Sequence, residues 1–131
     1  MSVLEWNAGL NVGIDFMDSD HEAAAAQINA LAAAPMAKRA DLLHHFIAHC
    51  REHFSREEEM MRLTGFFATA CHQDEHARVL AELDGVAVKL AAGDGQDRYF
   101  AKSLPDWLLN HRNSMDFVTA EFARRAGFKA A

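Results

Sequence analysis

The chain has 131 residues, is half apolar and carries a net charge of −6 at pH 7. A chain of this length is expected to form one domain over residues 1–131 with a core of its own, and an acidic balance without a basic patch argues against nucleic acid or an anionic membrane as partner. Two cysteines make no disulfide framework. No apolar stretch is long enough to span a bilayer, and MSVLEWNAGLNVGIDFMDSD lacks the marks of a secretory signal, so a cytoplasmic location is expected.

Proline occurs twice, β-branched runs are nearly absent, and Ala, Leu and Met abound, which favours helix. Residues 1 to about 17 read as irregular, with Gly9 and Gly13 as breakers. Ser19 and Glu22 have the spacing of a capping box for a first helix over about 19–34, which carries Ala24, Ile28 and Leu31 and stops near Pro35. A second helix is predicted over about 38–63, with Gly65 as its stop. A third spans about 69–92, ends at Gly93 and is weakened by Gly85. The fourth spans about 97–125, and Pro105 is expected to kink or restart it. The short connections favour antiparallel neighbours, so the fold class is all-α, an up-down-up-down four-helix bundle with an irregular N-terminal segment.

Apolar residues recur at steps of three and four along each helix. In the second helix the stripe is Leu42, Phe46, His49, His53 and Met60; in the third it is His72, His76, Val79, Leu83, Val86 and Leu90. In the fourth it is Leu104, Leu108, His111, Met115, Val118 and Phe122, and His21 continues the stripe of the first. Glu57 lies four residues after His53 and shares its face. A single core histidine is ordinary, but imidazoles and carboxylates cost free energy when buried unless they are satisfied. His21, His53, His72, His76 and His111 on inward faces of all four helices must pair with one another or coordinate something. Rise per residue and alternating helix direction bring them to one level of the bundle, together with Glu57 and Asp116. One spacing is imperfect. His111 and Asp116 are five residues apart, ~140° on an ideal helix, so either Asp116 reaches sideways or the helix carries a π-type distortion.

Imidazole and carboxylate without thiolate suit iron, copper, zinc or manganese. Seven such ligands are too many for one ion. With three histidines on one metal, two on the other, and both carboxylates and a solvent oxygen bridging, one position of a six-coordinate pair stays open, which suits a small diatomic ligand.

The ordered pattern of one His, HxxxE, HxxxH and HxxxxD resembles bacterial hemerythrin over nearly the whole chain. The matching residues are Trp6, DSDH ending at His21, HFSREE from His53 to Glu58, HQDEH from His72 to His76, and WLLNHRNSMD from Trp107 to Asp116. The resemblance implies a four-helix bundle with two iron ions (Fe2+/Fe3+) as cofactor. His72, His76 and His111 would hold the full iron and His21 and His53 the open one. Glu57 and Asp116 would bridge them, with an oxo or hydroxo group as third bridge. It further implies that O2 binds at the open position and that Phe54, Trp107 and Leu108 line the pocket; ordinary core packing of these three is compatible with that role. Arg112 stands where the family usually has an aliphatic residue. It is expected to admit water to the pocket and speed autoxidation, to pair with a nearby acid, or to point outward.

Other residues carry less. His49 reads as a partner of the site or a channel residue, His44 and His45 as packing or surface residues, and Glu58 and Glu59 as a solvated face. Cys50 and Cys71 fall at different heights and are not expected to bond. HQDEH also fits a zinc-protease motif with Glu75 as base, but that leaves His21, His53 and His111 unexplained. The leading expectation is a non-enzymatic O2-binding protein for carriage, storage or delivery. The alternatives are an oxygen, redox or nitric-oxide sensor, and a di-iron peroxidase or nitric oxide reductase. A monomer is expected, with a homo-oligomer as the alternative.

Overall fold

The computed structural model describes residues 2–129. A single 3-10 turn, Ala8–Leu10, precedes helices α1 (Asp15–Ala33), α2 (Met36–Thr64) and α3 (Thr69–Ala91) and a long α4 over residues 97–125. The described residues contain no strand. The connections are short, and the helices form a four-helix bundle in which α2 packs on both α1 and α3 while α4 returns against α1 and α2. None of the described helices is long and apolar enough to cross a membrane.

The helix ends follow local chemistry. Gly65 takes φ 68° and closes α2, with the Phe66 N–H donating back to the Met61 carbonyl. The start of α1 departs from the sequence reading. Ser19 and Glu22 lie inside the helix, which begins at Asp15 with no side-chain cap. Asp18 instead reaches backwards past the helix start, accepting from the Val12 N–H (2.6 Å) and the Gly13 N–H (3.2 Å) in the segment ahead of it. Gly13 permits that turn at φ 87°. Gly85 lies on an exposed face of α3 and leaves the helix unbroken.

Helix α4 runs through Pro105 without stopping, because it contains two π turns, Tyr99–Ser103 and Arg112–Asp116. The first sets Pro105 at the start of the α segment Leu104–His111, where a missing N–H does no harm. In the second, the Phe117 N–H donates to the Arg112 carbonyl. Five residues there cover the angle that four would cover in an α-helix. The register beyond it moves by one position. Asp116, Thr119, Ala120 and Ala123 face the core, whereas Val118 is 45% exposed and Met115 and Phe122 are half-buried. The stripe expected on Met115, Val118 and Phe122 is therefore corrected, since it assumed unbroken α geometry.

Two apolar clusters bracket one level of the bundle. The larger contains Ile28, Leu31, Leu43, Phe46, Leu83, Phe100, Leu104 and Leu108; the smaller contains Val12, Ile14, Met17, Met60, Ala120 and Ala123. Along α1, α2 and α4, the polar residues of interest fall between the two. Leu83 is fully buried at the centre of the larger cluster. Leu83→Ala is expected to cost ~2–5 kcal/mol of stability, read as a lower urea midpoint at unchanged slope; a cost below ~1 kcal/mol would mean that the core collapses around the gap.

Candidate metal centre

Four helices each send side chains to this level. His21 comes from α1, His53 and Glu57 from successive turns of α2, and His72 and His76 from successive turns of α3. His111 and Asp116 come from α4, on either side of its second π turn. None of the seven is more than 6% exposed, and Glu57 is wholly buried. Their donor atoms fall into two groups, each within 4.8 Å: Glu57, His72, His76, His111 and Asp116 in one, His21, His53, Glu57 and Asp116 in the other. Glu57 and Asp116 belong to both.

The Nε2 atoms converge on the carboxylates. His72 Nε2 lies 3.2 Å from Glu57 Oε1 and 3.1 Å from Asp116 Oδ1. His111 Nε2 is 3.1 Å from Asp116 Oδ1, His21 Nε2 is 2.9 Å from Asp116 Oδ2, and His53 Nε2 meets Glu57 Oε2. The Nε2 atoms of His72 and His111 face each other at 3.2 Å. Both Glu57 oxygens, Asp116 Oδ1 and His76 Nε2 are nonetheless buried without a well-aligned hydrogen-bond partner. Buried acceptors crowded together without aligned donors are costly. A cation satisfies all of them at once, so the donor set fits a pair of metal ions.

The opposite edges of three rings are tied down by protein. His53 Nδ1 lies 2.8 Å from Asp20 Oδ2, His72 Nδ1 lies 2.9 Å from Thr119 Oγ1, and His76 Nδ1 lies 2.8 Å from Glu58 Oε2. Such partners fix ring orientation and leave Nε2 free to ligate. Asp20, Thr119 and Glu58 were not anticipated as parts of the site. Glu58 is corrected from a solvated residue to the acceptor for His76, while Glu59 is exposed and pairs with Arg62. The only sequence hint was that Asp20 and Glu58 adjoin His21 and Glu57.

The electrostatics of the metal-free cluster agree with this crowding. Burial alone would lower His53, but Glu57 and Asp20 raise it to about 10; burial likewise opposes His72, which its contacts with Asp116 and Glu57 raise to about 9. Burial and the Asp116 charge would raise Glu57, yet the surrounding imidazoles hold it below the ordinary range; burial would raise Asp116 too, and His111, His21 and His72 outweigh it. Burial also works against Asp20, which hydrogen bonds from His53 and Arg56 keep at about 2.

A cavity of about 20 Å³, room for one water-sized molecule, adjoins the centre and is lined by His21 and His53 of one donor group, by His111 of the other and by the shared Asp116. Phe46, Phe54, Trp107 and Leu108 give it apolar walls, and His49 and Cys50 also line it. Phe54 stacks on His76 at 3.9 Å between ring centres, and Trp107 stacks on His111 at 4.7 Å. Arg112 is absent from this lining. Its guanidinium turns outward, donating to the carbonyls of Leu10 (2.7 Å) and Asn11 (3.2 Å). The pocket role considered for it is thereby corrected, and of the readings open to Arg112 the outward one is observed.

His49 belongs to neither donor group; its Nε2 donates to the Asp20 carbonyl at 3.1 Å. His44 and His45 are exposed. Cys50 is buried, Cys71 exposed, and both are free. Glu75 accepts from Trp107 Nε1 at 2.7 Å, and its hydrogen bonds with Arg78 hold it at about 2, which makes it a poor general base.

The Hemerythrin HHE cation binding domain matches residues 12–123. The chain belongs to the hemerythrin family. It is 35% identical over 127 residues to a bacteriohemerythrin of Ralstonia nicotianae, covering 95% of this chain and 93% of the relative. With a bacteriohemerythrin of Aquifex aeolicus it shares 31% over 117 residues, 84% and 89% of the two chains. A hemerythrin crystal structure with one leucine replaced has a TM-score of 0.84 over 94% of this chain and 98% of the other. At 22% identity that likeness speaks for the fold alone.

The raised imidazoles give a testable pH dependence. Protonated His53 and His72 stabilise the metal-free hemerythrin fold; that contribution is full below the ordinary value of 6.5 and is lost as pH rises through about 9 and about 10. The chelator-treated protein should therefore lose thermal stability across this window. The loaded protein should not, because its Nε2 atoms carry metal rather than protons. Calorimetric scans of both forms across the window test this, and parallel curves would show that these nitrogens do not take up the metal.

Proposed function

We propose that this protein binds dioxygen reversibly at a non-haem di-iron centre and carries, stores or delivers it. The observation that carries the reading is the pair of donor groups sharing Glu57 and Asp116. His72, His76 and His111 hold one iron, His21 and His53 hold the other, and Glu57 and Asp116 bridge the two. With an oxo or hydroxo group as third bridge the three-histidine iron would have no position left and the two-histidine iron would have one, and a small cavity lined by His21, His53 and His111 adjoins the pair. A donor set without thiolate is compatible with iron among the metals it suits, and the likeness to bacteriohemerythrins favours iron among them.

The bound pair supplies an open coordination position and the electrons that a bound diatomic ligand needs. The chain supplies the surroundings. Phe54, Trp107 and Leu108 close the cavity with apolar walls, which keeps water from the ligand and hinders escape of reduced oxygen species. Stacking on Phe54 and Trp107 holds the His76 and His111 rings in place. Five imidazoles and only two carboxylates favour binding over strong oxygen activation, for which di-iron bundles employ more carboxylates. The reading is therefore of a carrier rather than a peroxidase, a nitric oxide reductase or a sensor.

Absorption spectra of the reduced, iron-loaded protein during oxygen addition and removal test it. A coloured oxygenated form that appears and bleaches over repeated cycles is expected; direct, irreversible conversion to the oxidised form would instead favour redox sensing or turnover. The orientation of Arg112 adds a second expectation. Arg112→Ile should leave the autoxidation rate unchanged while loosening the N-terminal segment, seen as faster hydrogen exchange around Leu10 and Asn11. A faster or slower autoxidation would return Arg112 to the pocket.

A further inference from the structure

With Nε2 turned to the metals, the protein influences each imidazole through its Nδ1. The two sides of the centre differ in this respect. On the three-histidine side, His72 meets a neutral hydroxyl and His76 meets the Glu58 carboxylate. On the two-histidine side, His21 Nδ1 is buried with no partner, and His53 Nδ1 meets Asp20 at 2.8 Å. Among the described residues, Asp20 is thus the one anionic contact to an Nδ1 of that side.

Asp20 is also unusually well held. Its Oδ2 is shared between His53 Nδ1 and the Arg56 guanidinium, and its main-chain carbonyl accepts from His49 Nε2 at 3.1 Å. The His49 ring lies parallel to that of His53, 3° apart in plane with centroids 6.4 Å apart. Arg56 is fixed further by the Phe16 ring, 5.9 Å from its guanidinium carbon. Since Asp20 directly precedes His21, a single residue links the α1 ligand to the α2 ligand of the same metal. Glu58, by contrast, has no cationic side chain beside it other than His76 among the described ion pairs.

We propose that Asp20 and Arg56 are a charge-tuning pair for the metal held by His21 and His53. Asp20 positions the His53 ring and increases its electron donation, and Arg56 moderates the Asp20 charge. A carboxylate on Nδ1–H draws the proton towards itself and makes the ring a stronger donor, which favours the more oxidised metal. A cation on the same carboxylate oxygen reduces that pull. Both are positioning residues that touch neither metal nor bound ligand, and the inference rests on the di-iron reading above.

The two halves of the pair should act in opposite directions, which separates tuning from simple damage. Asp20→Asn keeps an acceptor for His53 but removes the charge; it should raise the reduction potential of the iron-loaded protein and weaken metal binding about tenfold or more. Arg56→Gln frees the Asp20 charge and should lower the potential. A tenfold change in the relative affinity for ferric and ferrous iron corresponds to about 59 mV per electron. Spectroelectrochemical titration, with metal content measured on the same samples, reads both. Shifts of opposite sign support the proposal, and shifts of the same sign, or none, overturn it. If Asp20→Asn fails to load, Arg56→Gln decides: a lowered potential supports the proposal, an unchanged or raised one overturns it. A wild-type protein that does not hold two irons per chain overturns the di-iron reading and this inference together. Two irons with unmoved potentials overturn the inference alone.

Discussion

Two carboxylates buried side by side set the terms for this structure. Glu57 and Asp116 are excluded from water, and both Glu57 oxygens and one of Asp116 lack aligned hydrogen-bond donors. Neither could remain there in an apolar interior, where an unpaired charge costs several kcal/mol. Every surrounding choice answers that constraint. Four helices each bring imidazole, so that nitrogen lone pairs and carboxylate oxygens bound the same space. Apolar clusters then lie above and below, holding the level dry and fixing the heights of the helices. The packing positions the charges, and the charges require a cation for the packing to be tolerable.

The same constraint explains the π turn in α4. His111 and Asp116 must both face inward, yet they are five residues apart. An α-helix would send Asp116 to the flank of the bundle. One widened turn corrects the angle locally, and its cost is offset by what Asp116 then contributes to the centre. At the start of the same turn, Arg112 faces away from the cavity and ties α4 to the carbonyls of Leu10 and Asn11. The helix that carries the turn thus also fastens the N-terminal segment, whose Trp6 ring sits edge-on to His21 at 5.7 Å.

What could be read from the sequence divides along a physical line. On the regular helices α1 and α3 periodicity sufficed: all six residues assigned to the α3 stripe are buried, and the stripe of α1 from His21 to Leu31 is equally intact; on α2, Phe46, His53 and Met60 are buried but Leu42 and His49 only half-buried. The common level of the seven side chains needed only helix rise and alternating direction, although turning Asp116 inward took the π turn. Where geometry is irregular, a fixed period misleads. Met115, Val118 and Phe122 were placed inward by a helix assumed to have no π turn, and Ser19 was taken for a cap because Asp18 reaching backwards has no short sequence signature. Long-range hydrogen bonds were invisible for a different reason. Thr119 is 47 residues from His72 and Asp20 is 33 from His53; nothing in a helical pattern distinguishes such a residue from one facing solvent.

The two ends of the imidazole ring bring these threads together. Nε2 answers the metal, and its arrangement follows from stripes that the sequence displays. Nδ1 answers the protein, and its partners emerge only when the helices are assembled. Because those partners differ from ring to ring, the two halves of the centre are unequal before any ligand arrives. His76 and His53 each face a carboxylate, His72 faces a hydroxyl, and His21 faces none. The cavity is lined by both rings of the half with fewer imidazoles and by His111 of the other, and Asp20 behind His53 is, among the described residues, the one Nδ1 carboxylate that also pairs with an arginine. A symmetric cage would bind two metals equally well but would give a small ligand no reason to prefer either. Here the cavity touches both ligand rings of the two-histidine half, and the carboxylate behind His53 lies on that same half.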